Sequence, residues 1–429
     1  MKKNNFFKIT VLLIIGGFVT KVLGMVIKII MTRLIGPTGI GIYMMIMPTF
    51  SLLIALTQLG FPIAISKLVA ENKYNSKKIV LGIIPISLII NIIIMTLLII
   101  FANYISINLL HEKRCYLGLV SIALTLPFIS ISSILRAYFF GKTRIIPHVI
   151  SNILEDVIKL ILIILFIPSI IKINIEYTVA FLFLISIASE TSSIIIFLIC
   201  SPKNINLEKK DFIINKKILK KILSISIPST GSRLIGSIGY FLEPIILTFV
   251  LSKYYINDFF VNEYGVINGY VMPLLLLPSF FTMAISQALI PLISNAWANK
   301  KKNIIKRKIK QAIFYSLTIG IPATLIFIFI PEIPLRFLYN SAPGIKYIKV
   351  LAPICLLHYI QSPLTSTLQA MDKASIAMKG TLYGMIIRCL LLFTLSYLKI
   401  GLWPLIIATA INMIIVTLHQ IIHIKKELN

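Results

Sequence analysis

The sequence predicts an all-α, polytopic membrane protein of about twelve transmembrane helices, in two parallel six-helix halves around a central cavity. Three observations carry this expectation: an apolar composition, charge confined to short loops, and internal repetition. Of 429 residues, 58% are hydrophobic and only 13% charged, with a mean hydropathy of +0.96. Soluble domains are roughly 45–50% apolar and about 25% charged, so most of this chain has lipid or other helices for neighbours.

A helix that crosses the roughly 30 Å hydrocarbon core needs about 20 mostly apolar residues. The first such run, 9–31, follows a basic stub of Lys2, Lys3 and Lys8. A cleavable signal has that opening, but the run is full length and holds Lys21 and Lys28, which marks a retained span. Gly36-Pro37-Thr38-Gly39-Ile40-Gly41 then turns the chain into run 41–65. It is no phosphate loop, because no strand precedes it and no Lys-Ser/Thr follows. Runs 79–110, 116–135, 149–170 and 178–200 complete a first half, residues 1–200. Residues 201–221 form a cytoplasmic basic linker in which Phe212, Ile213, Ile214 and Ile218 alternate with Lys209, Lys210, Lys216 and Lys217. Such a segment suits an amphipathic helix on the inner leaflet or a solvated connection. Runs 222–251, 266–294, 312–330, 350–370, 380–398 and 401–424 fill the second half, 222–429.

Lys and Arg alternate in step with these runs. The termini and even-numbered loops hold 28, the odd-numbered loops 9, and the remaining five lie inside runs. By the positive-inside rule both termini are cytoplasmic, in a multi-pass cell-membrane protein. The same rule accounts for the net charge of +28 without nucleic acid as a partner.

The two halves echo each other. Met47-Pro48 leading to Ile65-Ser66 matches Met272-Pro273 leading to Ile290-Pro291-Leu292-Ile293-Ser294, and Leu135-Arg136-Ala137 matches Leu368-Gln369-Ala370, at offsets of 225 (from Met47 to Met272) and 233. An even number of spans per half makes the repeats parallel about an axis along the membrane normal, with a site between them.

Charges inside the runs are the candidate functional residues. Lys21, Lys28, Lys159, Arg233 and Arg388 are basic; Glu155, Asp156, Glu190 and Glu243 are acidic. A basic residue at a helix centre costs about 2.5–3.5 kcal/mol on insertion scales, so these residues line a wet cavity, find partners or snorkel. Lys21 and Lys28 are two turns apart on one face. Glu155 and Lys159 have the spacing of an intrahelical pair. Gly231, Gly236 and Gly239 leave room around Arg233, and Arg388 is the repeat counterpart of the Glu155 region. Prolines such as Pro48, Pro85, Pro127, Pro273 and Pro363 recur within runs, where each removes a backbone donor and bends its helix.

Enzyme and cofactor motifs are missing. There is no HExxH, no GxSxG, no His-Cys cluster, and no CxxC among Cys115, Cys200, Cys355 and Cys389. His419 and His423 share a helical face near the end of the chain, which suits a helix terminus better than a metal. The expectation is a protein that is not an enzyme and needs no cofactor, with any uphill work driven by ion gradients or membrane potential.

Thr20-Lys21-Val22-Leu23-Gly24, with Arg33-Leu34-Ile35-Gly36-Pro37-Thr38-Gly39-Ile40-Gly41-Ile42-Tyr43, resembles the opening of stage V sporulation protein B and related polysaccharide-biosynthesis membrane proteins. Tyr138-Phe139-Phe140-Gly141-Lys142, Pro147 and Ile150-Ser151-Asn152-Ile153-Leu154-Glu155 resemble that family's fourth-to-fifth-span signature; Thr367-Leu368-Gln369-Ala370-Met371-Asp372-Lys373 resembles the matching second-half stretch. The chain departs from the related lipid II flippase at 266–270, which lacks an arginine early in the eighth span.

The resemblance implies a flippase that moves a lipid-linked cell-wall or polysaccharide precursor outward by alternating access, for spore cortex peptidoglycan. Its partners would be an anionic pyrophosphate-linked oligosaccharide lipid and membrane lipids, and the protein would be a monomer. Lys21, Lys28, Lys159, Arg233 and Arg388 would bind the head group, with Lys21 and Arg233 facing each other across the cavity. Glu155 would orient Lys159, and Glu155 and Glu243 are the ion-coupling candidates. The rival readings are a proton- or sodium-coupled multidrug exporter, a membrane-embedded glycan ligase or polymerase, and a non-transporting partner in sporulation or glycan assembly. Short outer loops weigh against the ligase.

Overall fold

The computed structural model describes residues 3–201, 209–212 and 214–428, and among them there is helix and no strand. In chain order the helices are α1 (Lys3–Gln58), α2 (Phe61–Glu71), α3 (Ser76–Tyr104), α4 (Cys115–Gly141), α5 (Ile145–Ile170), α6 (Ile175–Ile199) and α7 (Lys216–Leu251). They continue as α8 (Asn257–Gly265), α9 (Met272–Leu275), α10 (Ser279–Ala298), α11 (Lys302–Phe329), α12 (Glu332–Tyr339), α13 (Ile345–Ala370), α14 (Ala374–Ser396) and α15 (Trp403–Leu428). Wide π-type turns, Ile105–Leu109 and Val266–Val271, extend α3 and join α8 to α9.

Nine of the described helical stretches are long and apolar enough to cross a membrane. They carry ten of the twelve runs, since Ile15–Glu71 holds the first two. The other two are α5 and α13, each 26 residues long. Helix α5 is interrupted by the charges Glu155, Asp156 and Lys159, and α13 by polar positions such as His358, Gln361 and Ser362. Their polarity belongs to the interior of the protein.

The turn expected at 36–41 is far tighter in the structure. The first two runs are two helices joined at Gly36 alone, with φ 67° and ψ −176°. That backbone conformation is open essentially only to glycine, and Pro37 follows as the first residue of the second helix, where its missing N–H costs nothing. A second break, at Leu59 and Gly60 (both with positive φ), separates α1 from α2.

The packing is inverted relative to a soluble protein. Helix α3 exposes Ile89, Ile92, Ile93, Ile100 and Phe101 while burying Ser87 and Asn91. The Ser87 hydroxyl is 2.7 Å from that of Ser130 on α4, and Asn91 donates to the Ser87 carbonyl at 2.7 Å. Apolar groups facing outward and paired polar groups inward is the arrangement lipid demands, because lipid offers no hydrogen bonds.

The chain packs as two compact units, Met1–Phe241 and Leu242–Asn429, with the change falling inside α7. In the first unit one core joins Phe61, Ile65 and Leu68 of α2 to Ile79 and Ile83 of α3, Ile134 of α4 and Ile222 of α7. In the second, Leu289 and Ile293 of α10 pack with Ile305 and Ile309 of α11, Leu364 and Leu368 of α13, and Ile424 of α15. Each unit thus packs a set of its own helix termini into one core. A Cβ at Gly141 would lie 2.6 Å from the Ser66 carbonyl, and Ser294 donates to the Ala370 carbonyl at 3.2 Å.

Residues 202–208 and 213 of the linker lie outside the described residues. The described remainder is no freestanding amphipathic helix. Lys209–Phe212 makes one 3-10 turn, buried Asp211 pairs with Lys77 of α3, and Lys221 reaches Glu71 of α2 at 3.3 Å. The apolar positions that suggested a leaflet-bound face are partly spent on protein: Ile214 sits against Gly82, where a Cβ would come within 2.9 Å.

Candidate functional site

Helices α1 and α5 pack together in the first unit, and a charged site opens beside their contact. Lys28 on α1 and Asp156 and Lys159 on α5 line one cavity of about 280 Å³, together with Tyr43, Met31, Met44 and Met47 of α1 and Tyr240 of α7. Asp156 and Lys159 are one turn apart and therefore share a face. Neither lysine has a carboxylate within ion-pair distance among the described residues. Two half-buried ammonium groups thus face the same space, neither within ion-pair distance of a carboxylate, with Asp156 as the one carboxylate in the lining beside aromatic rings and thioethers.

Glu155, one residue from Asp156, points elsewhere. It does not pair with Lys159; instead its carboxylate accepts from Arg136 Nη2 of α4 at 2.9 Å. Successive helical residues differ by about 100° in direction, so a residue adjacent to the cavity lining is turned toward α4 and α6. The same Arg136 nitrogen lies 4.0 Å from Glu190 and 3.4 Å from the Ser193 hydroxyl, both on α6, and Ser132 of α4 donates to Glu190. One guanidinium is held between two carboxylates.

Arg136 was expected in a loop, because run 116–135 ends just before it. In the structure α4 continues to Gly141, carried on by Ala137, Tyr138, Phe139 and Phe140. That apolar continuation was the signal for an arginine inside the helix. Asp156 and Glu190 stood among the charges of the runs without a role.

The other candidates lie apart from the cavity lining. Lys21 is exposed, seven residues from Lys28, or about 10 Å along the helix. Arg233 is exposed on α7 and donates to Gln58 Oε1 of α1 at 3.1 Å. A Cβ added at Gly231 or Gly236 would meet nothing within 4 Å, so the space around Arg233 is open. In the second unit, Arg388 of α14 lies against Glu243 of α7 with Nη2 2.5 Å from Oε2, and also donates to Thr409 of α15 at 3.2 Å. Glu243 receives a further hydrogen bond from Tyr264 of α8 at 3.1 Å. Arg388 is therefore already neutralised, unlike Lys28 and Lys159. Among the described residues no group of His, Cys, Asp and Glu is arranged to hold a metal.

Comparison with known proteins agrees with this architecture. Residues 6–297 match the family model described as "Polysaccharide biosynthesis protein", and residues 235–394 match MatE. Stage V sporulation protein B of Bacillus subtilis (strain 168) is 35% identical over all of this chain and 85% of its own length. Lipid II flippase MurJ of the same organism is 21% identical over 97% of this chain and 82% of its own. A solved inward-facing multidrug resistance MATE family transporter of the MOP superfamily superposes with a TM-score of 0.75 at 14% identity, covering 95% of this chain and 94% of that one. Helical spans, inward-facing charge and these matches together show that the chain is a multi-pass membrane transporter belonging to the polysaccharide biosynthesis protein family.

Proposed function

We propose that this transporter flips a lipid-linked cell-wall or polysaccharide precursor outward by alternating access, and that Lys28 and Lys159 grip the phosphate of its head group. The observation that carries the reading is a surplus of positive charge in one cavity, two ammonium groups to the single carboxylate of Asp156, whereas Arg136 and Arg388 are held by carboxylates. Ammonium groups in a low-dielectric site attract an anion far more strongly than in water, and a cavity of about 280 Å³ admits a diphosphate but not a polyprenyl tail. Lys21 and Arg233, both exposed, suit earlier or later contacts along the path. Arg388, held by Glu243 in the second unit, is no part of this grip.

Relatives named for sporulation stage V and for lipid II support a spore-cortex peptidoglycan precursor as the cargo. The 28-to-9 distribution of basic residues supports cytoplasmic termini, and the sequence echoes at offsets 225 and 233 support two parallel six-span repeats. Native mass spectrometry of lipid carried through purification tests the proposal. A polyprenyl diphosphate sugar retained by the protein, and lost with Lys28→Gln, is the expected result. Retention of organic cations in its place would move the function to multidrug export, with Asp156, the carboxylate of the cavity lining, as the binding group.

A further inference from the structure

The cavity that holds Lys28 and Lys159 also holds a carboxylate that works against them. Asp156 lines the same space and forms an ion pair with neither lysine. Its charged surroundings come from every helix packed around it: Lys28 and Tyr43 from α1, Glu155 and Lys159 from α5, Arg136 from α4, Glu190 from α6 and Tyr240 from α7. Arg136 is already engaged by Glu155 and Glu190. What an incoming anion meets is therefore two positive charges and one negative charge.

Resting on the head-group reading above, we infer that Asp156 is a specificity-determining counter-charge that weakens phosphate binding more strongly the higher the ligand's own charge. Two uncompensated lysines in a low-dielectric cavity would hold a diphosphate too firmly for it to leave on the far side. A fixed carboxylate beside them lowers the potential without removing a contact. Coulomb energy is linear in ligand charge and falls with distance, so the second charge of a diphosphate adds its own, distance-weighted share to what Asp156 subtracts for the first. In affinity, the effect on the diphosphate exceeds that on the monophosphate and is at most about its square. A residue that merely shaped the cavity would act on both ligands alike.

The test uses the full-length protein in nanodiscs of zwitterionic lipid, titrated with citronellyl methyl phosphate (one charge) and citronellyl methyl diphosphate (two charges). Asp156→Asn is expected to tighten the first by a factor on the order of three to ten, and the second by a larger factor, up to about the square of the first. Transport of the diphosphate should show a lower KM and a lower kcat, because release becomes slow. Asp156→Glu keeps the charge and should return both affinities to the wild-type values, which separates the effect from misfolding. The inference falls if wild type binds the diphosphate and Lys28→Gln loses it, yet Asp156→Asn tightens neither ligand or tightens both by the same factor. If wild type and Lys28→Gln bind the diphosphate equally poorly, the head-group reading falls and this inference with it.

Discussion

The guanidinium of Arg388 rests on the buried carboxylate of Glu243, joining α14 to α7 within the second unit, and the Glu243 side chain is only 2% exposed. Removing one member of such a pair strands the other charge, at a cost of about 3–5 kcal/mol, while replacing both with apolar groups is often close to neutral. Glu243→Leu is therefore expected to lower the unfolding temperature in detergent sharply. The double variant Glu243→Leu with Arg388→Met should recover most of the loss. A double variant no better than the single one would show that the pair is not what stabilises this contact.

The network around Arg136 has a different arithmetic. Glu155 at 2.9 Å and Glu190 at 4.0 Å share one guanidinium. Either glutamate can lose its charge with the other still in place, whereas Arg136→Gln leaves two carboxylates facing each other without a cation. Thermal unfolding should rank Arg136→Gln well below both Glu155→Gln and Glu190→Gln. Equal effects from all three would argue against a shared arginine.

Among the lysines, the cavity sets the order. Lys28→Gln and Lys159→Gln should each reduce flipping strongly, since truncating a buried charged contact commonly costs about 2–5 kcal/mol in affinity. Lys21→Gln, an exposed position outside the cavity lining, should cost less. Flipping assays in proteoliposomes decide it, with insertion checked separately because neutralising a residue in a span does not impair insertion.

Gly60 offers a test of packing at the second break of the hairpin. Its φ is +62°, and an added Cβ would lie 2.3 Å from Ser229 Oγ and 2.7 Å from the Ser226 carbonyl oxygen on α7. Gly60→Ala is expected to destabilise the protein by about 1–2 kcal/mol from the left-handed backbone alone, and by more from the contact. Adding Ser229→Ala should restore little, because the Ser226 carbonyl is backbone and cannot move aside.

Topology can be checked at the start of α11, where Lys300, Lys301, Lys302, Lys306 and Arg307 are exposed. A single cysteine at Lys302, in a cysteine-less background, should resist a membrane-impermeant reagent added outside intact cells and react after permeabilisation. Ready labelling from outside would invert the orientation drawn from the basic loops.

The helices were legible because span length and hydropathy are properties of consecutive residues. Their ends aside, ten of the twelve runs fall on unbroken helix, while 41–65 breaks at Leu59–Gly60 and 266–294 at Leu276–Pro278; even the polar α5 was found, since Leu160–Leu165 outweighs the charges before it. Side-chain partners were less accessible. Spacing along α5 offered Lys159 as the partner of Glu155, whereas the partner is Arg136, nineteen residues away on a neighbouring helix. Which neighbour a side chain meets depends on how each helix is rotated about its axis, and that is decided by packing between helices. Lys28 shows the same limit: nothing local distinguishes it from Lys21, yet one lines the cavity and the other does not. Gly36 was read correctly as part of a turn, but its sequence neighbours gave no sign that one residue would suffice.

That one-residue joint has a mechanical consequence. From Pro37 to Gln58 the second arm of α1 runs 22 residues, or about 33 Å at 1.5 Å per residue. A rotation of about 10° at the two torsions of Gly36 would sweep the Gln58 end through roughly 6 Å, more than one helical turn. Tyr43, Met44 and Met47 ride nearer the joint and would move about 2–3 Å. A small angular change at a single glycine would thus shift the Gln58–Arg233 contact by about twice as much as the wall beside Lys28.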